Sequence, residues 1–148
     1  MSYVGARELM AELGITMPKI TDESTKIVTG DNTSGDLAGM LNLNKQLKYT
    51  DHEYIVEGYD IHNMETVDWN FHEPIIYRAT NDDLRKIYVI RDSFSTVLAP
   101  YIGSQFSESY LRHRSTYTYD DLLAQDPNVV VYETVERYTG GLMNFKIQ

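Results

Sequence analysis

The chain has 148 residues, of which 42% are hydrophobic, and it contains no cysteine. This size and composition predict one soluble domain with a sizeable core, and no apolar run is long enough to span a membrane. The formal net charge of −9 repels phosphate backbones, so we expect no nucleic-acid partner, and the missing thiols exclude disulfides and thiolate catalysis. No signal peptide opens the chain, which predicts a cytoplasmic protein or a piece of a longer one.

The N-terminal half predicts one helix followed by short extended segments. Ala6, Leu9, Met10 and Leu13 recur at helical spacing, and Gly14 follows where a left-handed C-cap is expected. The later elements are an extended stretch at Lys26–Thr29 before a Gly30-Asp31-Asn32 turn, a short helix at Gly35–Leu41, and strand-like runs at Tyr54–Tyr59 and Ile75–Ala79. We expect the last two runs to pair as a small antiparallel excursion, over about residues 44–80.

The C-terminal half alternates strand-like and helical segments. In order they are a strand at Ile87–Ile90, a helical stripe of Leu98, Ile102 and Phe106, a strand at Tyr110-Leu111, a helix at Tyr119–Ala124 and a strand at Val129–Tyr132. Pro100 predicts a kink or a fresh first turn within the stripe. The alternation predicts βαβ units and a parallel sheet, and hence an α/β fold.

Polar residues follow all three predicted parallel strands. They are Arg91-Asp92-Ser93, Arg112-His113-Arg114, and Glu133 with Thr134, Glu136 and Arg137. Because ligands gather at the carboxyl ends of parallel strands, we expect a site at this edge. Ser93 is the candidate nucleophile, since it lies where a strand turns into a helical pattern.

Other interpretations of these residues remain open. Ser93 or Ser95 could simply cap the following helix. A nucleophilic serine needs a base, and His113 is either that base or, with its flanking arginines, part of an anion-binding patch. The pair Asp51-His52 is typical of a solvated loop. His62 and His72 lie in polar segments without the regular spacing of metal ligands. We therefore expect no metal ion and no other cofactor.

Three stretches resemble the SGNH-hydrolase-like O-acetyltransferases of the AlgX and AlgJ type, together with related bacterial surface proteins that carry an Asp-His-His-Trp motif. Arg91-Asp92-Ser93-Phe94-Ser95 resembles the Gly-Asp-Ser-Phe-Ser nucleophile block of that family. The other two stretches are residues 34–41, similar to the segment before the family's β excursion, and residues 127–138, similar to its closing strand and helix. Arg91 stands where the family has glycine.

The resemblance covers nearly the whole chain but only the C-terminal part of the family's domain. It implies a parallel-sheet, three-layer SGNH/flavodoxin-like half-domain with a small antiparallel β excursion, in which residues 1–148 form the C-terminal part of a single SGNH-hydrolase-like domain. It also implies that Ser93 is the nucleophile, supported by Asp92, and that Arg91, Arg112, His113 and Arg114 bind an anionic glycan. For the three arginines, a structural role in pairing with Glu133 or Glu136 remains an open alternative. Tyr3–Leu9 is similar to the helix that follows the family's Asp-x-His-Trp motif, so the catalytic Asp and His are expected before Met1 and the chain alone is expected to be inactive.

The resemblance also implies a cellular setting for the parent protein. It would transfer acetyl groups to an exopolysaccharide such as alginate, from an unidentified acetyl donor, in the cell envelope or outside the cell. An exposed strand edge would then favour a homo-oligomer. The alternative is a non-catalytic module that binds carbohydrate or a protein through its tyrosines and Trp69.

Overall fold

The computed structural model describes residues 2–21, 24–33, 38, 40–43, 45–56, 64–68, 74–80, 82–135 and 139–140. The chain divides into two compact units, one made of Met1–Met17 with Asp60–Gln148 and the other of Pro18–Tyr59. Most of the predicted helix at 35–41 lies outside the described residues, as do His62, Trp69, His72 and the pair Glu136 and Arg137.

The two units differ in their secondary structure. In its described ranges, the smaller unit holds β1 (Thr25–Thr33) and β2 (Tyr49–Val56). The larger unit holds α1 (Ser2–Glu12), β3 (Met64–Asp68), β4 (Ile75–Ala79), β5 (Lys86–Arg91), a 3₁₀ helix η1 (Ser93–Val97), α2 (Ala99–Gly103), β6 (Glu108–His113), α3 (Tyr119–Gln125) and β7 (Val129–Tyr132). None of the helices in the described ranges is long and apolar enough to cross a membrane.

The larger unit is built on a mixed five-stranded sheet with the strand order β3-β4-β6-β5-β7. β5 runs parallel to both of its neighbours, β6 and β7, whereas β4 runs antiparallel to β6 and to β3. Five of the six β5 residues are buried, as expected for the central strand of a covered sheet. The predicted α/β fold with a parallel core is therefore confirmed.

Alternation along the strands divides the buried side chains between two faces of this sheet. Ile87 and Val89 lie on one face, where the Ser109 hydroxyl donates to the Gly103 carbonyl of α2. Tyr88 and Ile90 lie on the opposite face, with Leu122 of α3 packed against them. Helices thus cover both faces, and the unit has three layers.

The strand pairing of the first half differs from the sequence prediction. β2 pairs with β1, so that Tyr54 lies opposite Ile27, and not with β4 as expected. β4 belongs to the main sheet because it buries Ile75 and Tyr77, which face Leu111 and Ser109 of β6. Their β-branched and aromatic residues identified both strands, but neither strand carries a signal that selects its partner.

The predicted turn at Gly30-Asp31-Asn32 is also wrong, because β1 continues through it. The register with β2 shifts between Thr29 and Asn32, where β1 has one residue more than β2, so the irregularity is a bulge in a continuous strand. A glycine in a strand often marks such an irregularity. His52, expected in a loop, lies in β2 opposite Thr29.

Two local predictions are confirmed. Gly14 has a φ of 77°, and the Ile15 amide donates to the Met10 carbonyl across the end of α1, which is the left-handed C-cap expected after a helix. Pro100 lies in the first turn of α2, a separate helix after η1, where its missing N–H removes no internal hydrogen bond.

Candidate functional site

The carboxyl ends of β5, β6 and β7 lie at one edge of the sheet. Arg91 of β5 is in register with His113 of β6, and Ile90 is in register with Tyr132 of β7. The Arg114 amide donates to the Arg91 carbonyl at 2.7 Å, and the Glu133 amide donates to the Ile90 carbonyl at 2.8 Å. The segments after β6 and β7 are thereby attached to the end of β5, where the candidate nucleophile follows.

Ser93 is exposed at the first position of η1, directly after Asp92. The residue that caps η1 is Asp92, whose Oδ1 accepts a hydrogen bond from the Phe94 amide at 2.8 Å. Neither Ser93 nor Ser95 therefore serves as the cap, which was the alternative left open by the sequence. Among the described residues, no hydrogen bond involves the Ser93 hydroxyl.

Two buried or half-buried carboxylates hold the turn on which Ser93 lies. Oδ2 of Asp92 accepts from the Val135 amide at 2.9 Å, so this side chain joins η1 to the segment after β7. Oε2 of Glu133 accepts from the Asp92 amide at 3.1 Å and also from the Ser95 hydroxyl. The carboxylates of Asp92 and Glu133 consequently hold the residues on both sides of Ser93, and hydrogen bonds to an ionised carboxylate are stronger than those between neutral groups.

Arg91 is completely buried below this turn. Its Nη1 donates to the Asp92 carbonyl at 3.2 Å. Burial lowers the pKa of its guanidinium, while the neighbouring Glu133, Tyr77 and Asp92 raise that pKa. The guanidinium therefore acts in the interior of the protein, beside the carboxylates that hold the turn, and is not presented at the surface.

Arg112 lies on the opposite face of the sheet from Arg91. In the pairing of β5 with β6, Arg112 is in register with Ile90, and the side chains of Ile90 and its neighbour Arg91 point to opposite faces. Its Nε is 3.8 Å from Oδ2 of Asp121 in α3 and donates to the Thr116 carbonyl at 3.4 Å. The structure thus separates Arg112 from the Ser93 turn and associates it with the helix that covers the other face.

His113 and Arg114 remain at the edge where β5 ends, and both are half-buried. Nδ1 of His113 is 2.7 Å from Oγ of Ser115, and the Ser115 amide donates to the same nitrogen at 3.3 Å. Two donors on Nδ1 favour the tautomer with its proton on Nε2. His113 is therefore oriented by its own turn.

Glu133 was expected at this edge from its place after the third strand, and Ser95 was considered as a helix cap, but their contact with each other and with Asp92 was not predicted. Glu133 is 41 residues away from Asp92 along the chain, and a side-chain contact over that distance leaves no local pattern. The one indication in the sequence is the position of Glu133 directly after β7, a strand of the parallel core, because residues at such strand ends lie near the site. In the described part of the chain, no group of three or more His, Asp or Glu side chains could hold a metal ion.

No protein family model matches the chain, and no curated protein matches it by sequence. Among solved structures, it is similar to a DHHW family protein from Eubacterium siraeum, with 14% identity and a TM-score of 0.66, over 99% of this chain and 61% of that chain. It is also similar to Bacillus cereus PatB1 with a sulfonyl adduct, with 11% identity and a TM-score of 0.59, over 88% of this chain and 55% of that chain.

A second PatB1 structure gives a TM-score of 0.55 at 11% identity, over 88% of this chain and 57% of that chain. The chain therefore spans between 55% and 61% of the length of these neighbours. At such low identities the likeness concerns the fold alone. The chain shares its α/β fold with a DHHW family protein and with PatB1.

Proposed function

We propose that Ser93 is the acyl-accepting nucleophile of a serine-dependent O-acetyltransferase or acetylesterase, and that this chain contains the part of the catalytic domain that bears it. The supporting observation is the exposed Ser93 on a turn held by Asp92 and Glu133, at the end of the buried central strand β5. A hydroxyl that neither caps a helix nor binds a described neighbour is available to a substrate.

The proposed reaction has two steps. Oγ of Ser93 attacks the carbonyl carbon of an acetyl donor, its proton passes to a base, and the leaving group departs with a proton. A sugar hydroxyl, or water in an esterase, then attacks the acetyl-serine ester and restores the Ser93 hydroxyl. Both steps need a group that accepts and returns the proton.

We propose that an Asp-x-His pair outside this chain supplies that group, as the family resemblance implies. Without a base, a serine loses a factor of about 10²–10⁴ in rate, and a missing oxyanion donor removes about another 10²–10³. We therefore expect the chain alone to show little or no esterase or transferase activity.

The acceptor we propose is an anionic polysaccharide of the cell envelope, as for AlgX- and AlgJ-type enzymes. His113 and Arg114 are the residues that suit this contact, because they are half-exposed at the same sheet edge as Ser93. Arg112 is paired with Asp121 on the other face, and Arg91 is buried. In this proposal the parent protein acts in the envelope or outside the cell.

Labelling with a fluorophosphonate, with and without added imidazole as an external base, tests the role of Ser93. We expect slow labelling without imidazole and faster, saturable labelling of Ser93 with it, located by peptide mass spectrometry. Ser93→Ala should abolish the signal. Ser115→Ala is the matched control, since Ser115 is also exposed and is paired with a histidine, and it should leave labelling unchanged.

Two results would contradict this proposal in different ways. Rapid labelling of Ser93 without imidazole would show that the chain already holds a base. Absence of labelling at Ser93 even with imidazole would remove the nucleophile and favour the non-catalytic binding module.

We also propose that the chain associates with itself through β7. This strand ends the described sheet order, and its Val130 is 40% exposed. The free edge of an apolar strand tends to pair with another chain. Sedimentation at high protein concentration should show a dimer or larger species, and a monomer under those conditions would contradict the proposal.

A further inference from the structure

We infer that Glu133 is a positioning residue for the nucleophile turn, holding the residues on either side of Ser93 in place through one carboxylate oxygen. This extends the proposed function of Ser93 and rests on it. No hydrogen bond joins Glu133 to Ser93 among the described residues, so its effect would be exerted through Asp92 and Ser95.

Glu133 is attached to the central strand through both its main chain and its side chain. Its amide donates to the Ile90 carbonyl at 2.8 Å. Its Oε2 accepts from the Asp92 amide at 3.1 Å and from the Ser95 hydroxyl. The carboxylate therefore spans the point where β5 ends and η1 begins, using a backbone position that is itself fixed against β5.

The geometry of η1 explains why Ser95 is a useful attachment point. A 3₁₀ helix has three residues per turn, so residues 93, 94 and 95 point in three different directions. Ser95 is completely buried, while Ser93 and Phe94 are exposed. Holding the Ser95 hydroxyl restrains the rotation of this short helix about its axis, and that rotation determines the direction in which the Ser93 side chain leaves the backbone.

A carboxylate suits this place for two further reasons. Both groups that reach Oε2 are donors, and an ionised carboxylate only accepts. The guanidinium of Arg91 is buried nearby and interacts electrostatically with Glu133 and Asp92. Arg91, which replaces the family's glycine, thus provides an internal counter-charge for the two acids that hold the turn.

The test compares Glu133→Ala with Glu133→Gln in the full chain. Both variants remove the charge, but the glutamine amide oxygen can still accept both hydrogen bonds. We expect Glu133→Ala to slow imidazole-assisted labelling of Ser93 by about 10- to 100-fold, in line with the effect of small misplacements of reacting groups. Glu133→Gln should keep most of the rate.

Asp121→Ala controls for a general loss of stability, because Asp121 belongs to α3, which covers the opposite face of the sheet. At a temperature where all variants are folded by circular dichroism, it should leave the labelling rate of Ser93 unchanged. Amide hydrogen exchange of residues 92–98 gives a second measurement that needs no reactivity. Measured relative to the exchange of the β5 amides, which reports global opening, it should accelerate in Glu133→Ala, and not in Glu133→Gln or Asp121→Ala.

The outcomes separate this inference from the proposed function. If Ser93 of the unmodified chain stays unlabelled with imidazole, the proposed function fails, and the exchange measurement alone decides on Glu133. If Ser93 is labelled and Glu133→Ala changes neither rate nor exchange, the positioning role is wrong. If Glu133→Ala does not fold, Ser95→Ala replaces it: slower labelling with faster exchange supports the inference, and unchanged values overturn it.

Discussion

Asp121→Ala is expected to destabilise the larger unit far more than a typical exposed substitution in a helix. The Asp121 carboxylate accepts hydrogen bonds from the hydroxyls of Tyr88, at 2.7 Å, and Tyr110, at 3.2 Å. The two tyrosine rings stack with their centroids 5.2 Å apart. One carboxylate of α3 therefore satisfies two phenols of neighbouring strands and holds the helix on the sheet.

The expected magnitude follows from the groups that would lose their acceptor. Tyr88 is completely buried, and leaving its hydroxyl without a partner costs about 1–3 kcal/mol. The Tyr110 hydroxyl adds a smaller amount, because its bond is longer and its residue 9% exposed. The Arg112 contact at 3.8 Å is partly solvated and contributes about 0–1 kcal/mol. The total is about 2–4 kcal/mol.

Urea unfolding followed by circular dichroism measures this change, with Asp120→Ala as the matched control. Asp120 and Asp121 both lie in the first turn of α3 and share any interaction with the helix dipole, which is worth about 0.3–1 kcal/mol. Asp120 is exposed. In a Tyr88→Phe background, the effect of Asp121→Ala should shrink by about 1–2 kcal/mol, because one unsatisfied donor is already gone.

The result that would refute this reasoning is an Asp121→Ala variant that loses no more stability than Asp120→Ala. Additive effects of Tyr88→Phe and Asp121→Ala would likewise show that the hydrogen bond at 2.7 Å contributes nothing measurable.

Two further predictions concern alkaline pH and the end of α1. Burial raises the pKa of Tyr3, Tyr77 and Tyr88, and the hydrogen bond to Asp121 raises that of Tyr88 further. As the pH rises, these tyrosines therefore lose their protons in the unfolded chain before they do so in the folded protein. The free energy of unfolding should be constant below about pH 10 and fall above it. Urea titrations at increasing pH should show a shallower fall for Tyr88→Phe, and an equal slope would contradict its perturbed titration. Gly14→Ala should lower the free energy of unfolding by about 1–2 kcal/mol, because Gly14 adopts a φ of 77°, which disfavours a Cβ. Gly5→Ala is the control in the same urea assay. It should cost less, because a Cβ at Gly5 would meet the Leu98 side chain at 3.7 Å, an ordinary contact distance.

Local signals in the sequence predicted much of the larger unit. Strands β5 and β7 are continuous apolar runs, and Gly14 and Pro100 mark ends of helices for reasons of backbone geometry that hold in any context. The shared edge after β5, β6 and β7 follows from their parallel direction alone. These features depend on residues close together in the chain.

The pairing of β2 with β1 and the contacts of Glu133 were not predictable in this way. Strand partners are chosen by the whole set of apolar faces, and a strand such as β4 can satisfy its pattern in either sheet. Arg91 and Arg112 both looked like residues of one anion-binding edge. Their positions in register place them on opposite faces of the sheet, which becomes apparent only when the register is known.

Burial of Arg91 has a consequence for the order in which this protein folds. A guanidinium enclosed without its acidic neighbours is strongly unfavourable, and Glu133 comes 41 residues after Asp92. During synthesis the end of β5 would therefore stay open until β7 and Glu133 have left the ribosome. The central strand, although made earlier, would close its core only when β7 arrives.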